Sequence, residues 1–147
     1  MRPLLLVGGG GHCHACIDVI EREQKHCISG IVLETRGHHV DVMSYLVIGA
    51  DGDLPTLLEN TPNAIVTVGH IKSAVIRIKL FELLKTYGAH LPIIQSPSAY
   101  CSKHAVIGEG TILMHGSLVN AGAQVGANCI INSQALIEQG MAGEVQS

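Results

Sequence analysis

Residues 107–142 read IGEGTI, LMHGSL, VNAGAQ, VGANCI, INSQAL and IEQGMA, which are six consecutive groups of six residues. The first position of every group is aliphatic, and the fifth is small until Met141 interrupts the series in the last group. Neither an α-helix nor an ordinary hairpin has a period of six. This period is typical of a parallel β-helix, in which each side of a coil turns one aliphatic side chain inward. The stretch therefore predicts a β-helix, which we place in residues 96–147.

The first 95 residues follow a different pattern, in which apolar strand-like segments alternate with helix-like segments. The predicted strands are PLLLVG, CISGIVLE, YLVIG and AIVTVG, and the predicted helices are His12 to about Lys25, DLPTLLEN and SAVIRIKLFELLKTYG. Apolar strands that alternate with helices indicate βαβ units and a parallel sheet. We predict an α/β fold with two domains, a small Rossmann-like domain in residues 1–95 followed by the short β-helix.

The composition excludes several classes of protein. Apolar residues make up 47% of the chain and charged residues 14%, which disfavours intrinsic disorder. The net charge of −3, without a basic run, gives no sign of a nucleic-acid partner. The apolar run from Leu4 to Val7 is too short for a signal peptide or a membrane span. Five cysteines are an odd number, which fits free thiols in a reducing compartment, so we expect a cytoplasmic protein.

Four consecutive glycines, Gly8 to Gly11, separate the first predicted strand from the first predicted helix. Glycines at such a turn let backbone N–H groups approach phosphate at the positive end of the helix. His14 stands where the dinucleotide pattern GxGxxG needs its third glycine, which makes NAD less favoured than another nucleotide diphosphate. Glu34, at the end of the second strand, is placed to accept hydrogen bonds from a ribose. A tight turn without a ligand is the alternative interpretation.

Gly69, His70 and Lys72 follow the fourth predicted strand in TVGHIKS. Ligands of parallel sheets lie at the carboxyl ends of the strands, so these residues are candidates to border a nucleotide. A polar surface loop without a ligand explains them equally well. Two other histidine positions, His115 in the third place of a six-residue group and the pair His38–His39, are predicted to be exposed to solvent.

Cys13 and Cys16 form a CxxC pair that suggests metal or thiol chemistry. Their spacing puts both on the helix face that also carries Ile17 and Ile20. A structural zinc needs a second pair of ligands, which the sequence does not supply, and a thioredoxin-like role leaves the glycines unexplained. We predict that the two cysteines are buried, free and without a metal.

Three segments, LLLVGGGGH, GHIKSAVIRIKLFELL and the run from SPSAY to ALIE, together resemble bacterial sugar acyltransferases of the sialic acid O-acetyltransferase family. That family includes UDP-4-amino-sugar N-acetyltransferases, and the resemblance extends from Leu4 to about Glu138. It implies a left-handed β-helix, a homotrimer, a role in bacterial surface-glycan biosynthesis, a nucleotide-sugar substrate and acetyl-CoA as co-substrate. The resemblance favours phosphate and nucleotide binding by the glycine loop, and the candidate substrate-binding residues are Gly8, Gly9, Gly10, Gly11, His12, Glu34, Gly69, His70 and Lys72.

The sequence departs from that family at the expected catalytic base. The family places a histidine directly after a glutamate, whereas here Glu138 is followed by Gln139, whose amide cannot accept the proton. The repeat also stops after about two coils. We therefore expect a truncated acetyltransferase in which the acetyl-CoA site is missing and the activity is impaired. The alternatives are a non-catalytic module for UDP-sugar binding or trimerisation and, less favoured, an NAD-dependent oxidoreductase.

Overall fold

A computed structural model of the protein describes residues 1–69 and 74–140, and the backbone of residues 142–143. The first half is built on one sheet of five strands in the order β3-β4-β2-β1-β5. Its strands are β1 (Arg2–Val7), β2 (His26–Leu33), β3 (Asp41–Val42), β4 (Tyr45–Ala50) and β5 (Ala64–Val66). Its helices are α1 (Gly11–Glu23), α2 (Leu54–Asn60) and α3 (Val75–Thr86), with a short 3-10 helix at Asp51–Asp53.

Both faces of this sheet are covered, which explains why its strands read as continuous apolar runs. Leu4 and Leu6 of β1 point into one hydrophobic cluster with α1, whereas Leu5 and Val7 point into a second cluster with α2 and α3. Four strands are parallel, as predicted. The sequence did not indicate β3, a two-residue strand that pairs antiparallel with β4.

The second half is a three-sided β-helix of two-residue strands. Its sides are three parallel sheets, β12-β9-β6, β13-β10-β7 and β14-β11-β8. The strands are β6 (Ile94–Gln95), β7 (Tyr100–Cys101), β8 (Val106–Ile107), β9 (Ile112–Leu113), β10 (Leu118–Val119), β11 (Gln124–Val125), β12 (Ile130–Ile131), β13 (Leu136–Ile137) and β14 (Ala142–Gly143). The predicted fold class, a Rossmann-like domain followed by a hexapeptide-repeat β-helix, is confirmed.

The aliphatic residues at the first position of each group fill the interior of the β-helix. Leu113, Val119 and Ile131 are fully buried, and they form one cluster with the small residues Ala123 and Cys129. The first strand of the β-helix, β6, pairs with β9 and lies before residue 96. The six-residue period is not visible at this point of the sequence, and the division into domains at residues 1–95 and 96–147 stays a prediction.

Helix α1 joins the two halves through a shared hydrophobic core. The outer face of sheet β12-β9-β6 places three isoleucines against the apolar face of α1. The cluster includes Ile94, Ile112 and Ile130 of the β-helix, and Cys13, Cys16, Ile17 and Ile20 of α1. The predicted burial of the CxxC pair is thus confirmed. Burial raises the pKa of both thiols, that of Cys16 to about 12, so they stay protonated at neutral pH.

A buried arginine makes a second connection between the halves. Arg77 of α3 is fully buried, and its Nη1 donates to the carbonyl oxygens of Val66 and Val68, each at 2.9 Å. Its Nε donates to the carbonyl oxygen of Asn128 in the β-helix at 2.9 Å, and Asn128 Nδ2 donates back to the Arg77 carbonyl at 3.2 Å. Burial lowers the pKa of Arg77 to about 10, which leaves it charged at neutral pH.

A buried carboxylate makes a third connection. The side chain of Glu23, at the end of α1, is 6% exposed, and its Oε2 accepts the N–H of Gln95 in β6 at 3.2 Å. Its Oε1 is buried without a hydrogen-bond partner among the described residues. Burial, which is the largest effect, raises the pKa of Glu23 above its ordinary value of 4.5.

We predict that Glu23→Gln increases stability at neutral pH. Because the pKa of Glu23 is raised in the folded state, its contribution to the free energy of unfolding is largest below about pH 4.5 and is lost as the pH rises through the folded-state pKa. The glutamine keeps an oxygen for the Gln95 N–H and carries no buried charge. The melting temperature of Glu23→Gln should exceed that of the parent at neutral pH, and the difference should shrink toward pH 4.5.

Circular dichroism melts across this pH range test the prediction. Glu59→Gln, which neutralises an exposed carboxylate of α2, is the matched control and should follow the parent profile. A Glu23→Gln variant whose melting temperature stays parallel to the parent at every pH would contradict it.

Candidate functional site

Gly8 and Gly9, the first two glycines after β1, allow neighbouring segments to pack closely. A Cβ on Gly8 would collide with the side chain of Val68, and a Cβ on Gly9 would lie 2.8 Å from Leu33 Cδ2. Thr67, which is fully buried, donates its hydroxyl proton to the Gly8 carbonyl oxygen at 2.6 Å. These two glycines therefore shape the loop by contacts within the protein.

Gly10 and Gly11 have a different environment. A Cβ on either would meet no atom within 4 Å, so the space above them is open. Gly10 precedes α1 with φ 98° and ψ −171°, a conformation that strongly favours glycine. No hydrogen bond among the described residues engages the N–H groups of Gly9, Gly10 and Gly11. Free N–H groups at the positive end of a helix suit the binding of phosphate.

A cavity of about 290 Å³ lies beside this loop, at the carboxyl ends of β1 and β2. Its lining residues are Gly9, Gly10, Leu33, Glu34, Thr35, His39 and Val42. Three of the predicted site residues, two glycines and Glu34, thus share one cavity. In parallel α/β sheets this edge is where ligands bind.

The sequence does not predict all of this lining. It predicts only that His39 is exposed to solvent; the residue is exposed, and it also lines the cavity beside Val42 of β3. The antiparallel β3–β4 hairpin places these residues there. Its turn has φ 49° at Met43 and 73° at Ser44, and a sequence signal for such a turn would have been Asn or Gly.

A second carboxylate, Asp51, lies near Glu34. It follows β4, whereas Glu34 follows β2, and these two strands are neighbours in the sheet. Burial raises the pKa of Asp51, the negative charge of Glu34 raises it further, and Lys79 opposes the shift. Two carboxylates at this edge are acceptors for the hydroxyl groups of a ribose or sugar.

The remaining predicted residues are only partly described. His12, at the start of α1, packs against Gly69, where a Cβ would lie 3.0 Å from His12 Cβ. The structure therefore brings the loops after β1 and β5 together. His70 and Lys72 lie outside the described residues.

His115 takes part in a hydrogen-bonded chain that spans both halves. Its Nε2 lies 2.6 Å from Asp18 Oδ2 of α1, and its Nδ1 lies 2.6 Å from Ser96 Oγ. The side chain is 38% exposed, so the predicted exposure is only partial; the partner on α1 is distant in sequence and gave no local signal. Ser96 is fully buried and both imidazole nitrogens are occupied. This Ser–His–Asp arrangement therefore holds α1 on the β-helix, and the buried Ser96 hydroxyl is not accessible to act as a nucleophile.

Gln139, at the position of the expected base, lies on the turn after β13. Its side chain is exposed and passes over Gly122, where a Cβ would come within 3.0 Å of Gln139 Cδ.

Across the residues with described structure, no group of three or more His, Cys, Asp or Glu side chains is arranged to hold a metal ion. In the same part of the chain, no helix has the length and apolar character that a membrane span requires.

Comparison with known families agrees with this geometry. The family described as the PglD N-terminal domain matches residues 3–84. The chain belongs to this family. The bacterial transferase hexapeptide repeat (six repeats) matches residues 104–139, which lie in the β-helix. A search of curated proteins finds no match. The predicted resemblance to bacterial sugar acyltransferases is confirmed.

Several solved structures share this fold. PerB from Caulobacter crescentus, in complex with CoA and GDP-perosamine, is 27% identical with a TM-score of 0.86, over 97% of this chain and 65% of that chain. The acetyltransferase domain of PglB from Neisseria gonorrhoeae, in complex with acetyl coenzyme A, is 26% identical with a TM-score of 0.84, over 96% and 66%. WeeI from Acinetobacter baumannii, 13% identical with a TM-score of 0.75 over 100% and 68%, shows the common fold. The chain thus spans about two thirds of these relatives.

Proposed function

We propose that this chain binds a nucleotide-linked amino sugar as part of an acetyl-CoA-dependent acetyltransferase of bacterial surface-glycan biosynthesis. The observation that supports this most directly is the open space above Gly10 and Gly11, next to a cavity that contains Glu34. The solved relatives with CoA, acetyl coenzyme A and GDP-perosamine support the same class of reaction.

In this proposal each part of the ligand meets a different chemical group. The diphosphate accepts hydrogen bonds from the free N–H groups of Gly9, Gly10 and Gly11. Glu34 accepts hydrogen bonds from the ribose hydroxyls, and His39 lies on the side of the base. Gly8 and His12, placed by packing, support this loop. Gly69, His70 and Lys72 stay candidates for the sugar or phosphate end.

The family that the sequence resembles includes enzymes that act on UDP-linked amino sugars, whereas the ligand of the Caulobacter relative is GDP-perosamine. We propose a nucleoside diphosphate sugar, with UDP as the first ligand to test. An amino group on the sugar is the proposed acceptor. Free sialic acid, whose acceptor is a hydroxyl group, is the alternative substrate.

Acetyl transfer forms a bond from the acceptor nitrogen to the thioester carbon, breaks the carbon–sulfur bond and releases a proton from nitrogen. A general base contributes about 10²–10⁴-fold to such steps. Gln139 cannot accept this proton, so we propose that activity is impaired in this chain. The same residue favours the second candidate, a non-catalytic module for nucleotide-sugar binding or trimerisation.

We also propose a homotrimer. The outer face of sheet β13-β10-β7 carries a column of exposed apolar side chains, Tyr100, Leu118 and Leu136, which are 57%, 37% and 50% exposed. Burial of such a column against another copy is favourable. The cytoplasmic location inferred from the cysteines stays a prediction.

We predict that millimolar UDP or GDP raises the melting temperature and that Gly11→Val abolishes the shift. A ligand that binds only the folded state stabilises it, by about 2.7 kcal/mol at a hundred times its Kd. A Cβ at position 11 would meet no atom within 4 Å, so a valine there extends into the open space. Gly10→Val should also abolish the shift, but the positive φ of Gly10 strains that variant without any ligand.

Ala15→Val is the matched control, because it adds methyl groups to an exposed position one turn later in α1. It should keep the shift. An unchanged UDP or GDP shift in Gly11→Val, or a shift with NADH and with neither diphosphate, would show that the assignment of the glycine loop is wrong.

We predict that Leu118→Glu converts the trimer to monomers, since it places charges at the centre of the apolar column. Analytical ultracentrifugation at tens of micromolar protein measures the change. Val40→Glu, at a similarly apolar and exposed position of the first half, should leave the trimer intact. A parent chain that sediments as a monomer would rule out this interface.

We predict no acetylated product from the 147-residue chain or from Gln139→His. The loss of rate expected from the predicted lack of an acetyl-CoA site is larger than the loss expected from the missing base. Holding the reactants together lowers the activation barrier by about 7–11 kcal/mol, whereas a general base lowers it by about 3–5 kcal/mol. Mass spectrometry of reactions with acetyl-CoA and a UDP-amino sugar provides the measurement.

Gln124→His adds a histidine to another side of the β-helix and is the control. Product from Gln139→His but not from Gln124→His would show that the donor site is present and that only the base is lacking. Product from the unaltered chain would refute the proposed impairment.

A further inference from the structure

Basic residues gather at the amino ends of three neighbouring strands, on the edge of the sheet opposite the glycine loop. Arg2 begins β1 and pairs with His26, the first residue of β2. Lys25 directly precedes β2, and its carbonyl oxygen accepts the Arg2 N–H at 3.3 Å. His90 pairs with Asn63, just before β5, the other neighbour of β1.

This edge contains a cavity of about 320 Å³ whose lining residues are Arg2, Lys25 and His26. All three are basic. His26, at the first position of β2, is half-buried, whereas Arg2 and Lys25 are exposed.

The positive charge at this edge is only partly compensated. Burial, followed by the charges of Arg2, Lys25 and His90, lowers the pKa of His26. The nearest carboxylate with a described contact is Glu23, 3.8 Å from Lys25 Nζ, and the same oxygen already accepts the Gln95 N–H. In a chain with a net charge of −3, this local excess of positive charge indicates an anionic ligand.

We propose that the cavity lined by Arg2, Lys25 and His26 binds a phosphate dianion, either inorganic phosphate or the phosphate group of a small monoester. A guanidinium group donates two parallel hydrogen bonds to phosphate oxygens, and an ammonium group adds a point charge. The imidazole N–H of His26 supplies a further donor. This site is separate from the glycine loop and does not depend on the proposed acetyltransferase function.

Proton NMR of the His26 ring, assigned with His26→Gln, tests the proposal on the full chain. Sodium phosphate is titrated at constant ionic strength, with sodium chloride as the balancing salt. We expect a saturable shift of the His26 resonances and a rise in the pKa of His26 when phosphate is bound. Lys25→Gln and Arg2→Gln should each weaken binding about tenfold, since each removes a charge-assisted hydrogen bond.

Lys103→Gln removes an exposed cation of the β-helix and should leave the affinity unchanged. Gly11→Val should also leave it unchanged, which separates this site from the glycine loop. Ribose 5-phosphate is titrated in parallel, and tighter binding than inorganic phosphate identifies a monoester as the ligand. Far-ultraviolet circular dichroism checks the fold of each variant, and Lys25→Gln, whose side chain is 72% exposed, decides the result if Arg2→Gln unfolds.

Equal shifts with phosphate and with chloride would overturn the proposal. An affinity that Lys25→Gln leaves unchanged would overturn it as well.

Discussion

The burial of one helix on two sides is the constraint on which this structure depends. The apolar face of α1 covers the parallel sheet and, at the same time, the isoleucines on the outer face of the β-helix. A two-residue strand buries little apolar surface by itself. Packing of α1 against the first coils adds to the apolar surface that they bury and so stabilises them. Because α1 also begins at the glycine loop, the position of the free N–H groups depends on the packing of α1 against the β-helix. The candidate nucleotide site and the repeat are therefore parts of one core.

Polar contacts fix the orientation of the two halves relative to each other, which the apolar core alone does not determine. Arg77 is unusual in that role, because within residues 1–69 and 74–140 its buried guanidinium group donates to backbone carbonyls and has no carboxylate partner. Removal of the guanidinium would leave the carbonyls of Val66 and Asn128 without these donors, so the cost includes desolvated acceptors as well as the lost contacts. The same side chain holds the carbonyl of Val68 one residue before Gly69. Arg77 thus connects the loop after β5, which borders the candidate site, to a turn of the β-helix.

Local patterns in the sequence were sufficient for the two halves but not for their junction. The six-residue period predicts the interior of the β-helix because stacking repeats the same environment at Leu113, Val119 and Ile131. The glycine run predicts the loop because few other residues adopt its conformation. By contrast, the pairs Asp18–His115 and Arg77–Asn128 join residues far apart in the chain, and each residue alone looks like an ordinary surface or helix residue. The β3–β4 hairpin escaped prediction for another reason, since Met43 and Ser44 occupy its left-handed positions without the usual Asn or Gly.

The four glycines of the loop differ in why their positions require glycine, and this difference distinguishes a ligand-binding loop from a bare turn. A tight βα turn without a ligand, the alternative interpretation of the sequence, requires glycine only where the chain is strained or crowded. Gly8 and Gly9 meet that requirement through crowding, and Gly10 meets it through its positive φ. Gly11 meets neither, because it is the first residue of α1 and has open space around it. A bare turn therefore does not require glycine at position 11, whereas the phosphate that we propose would approach the backbone there most closely if the residue has no side chain.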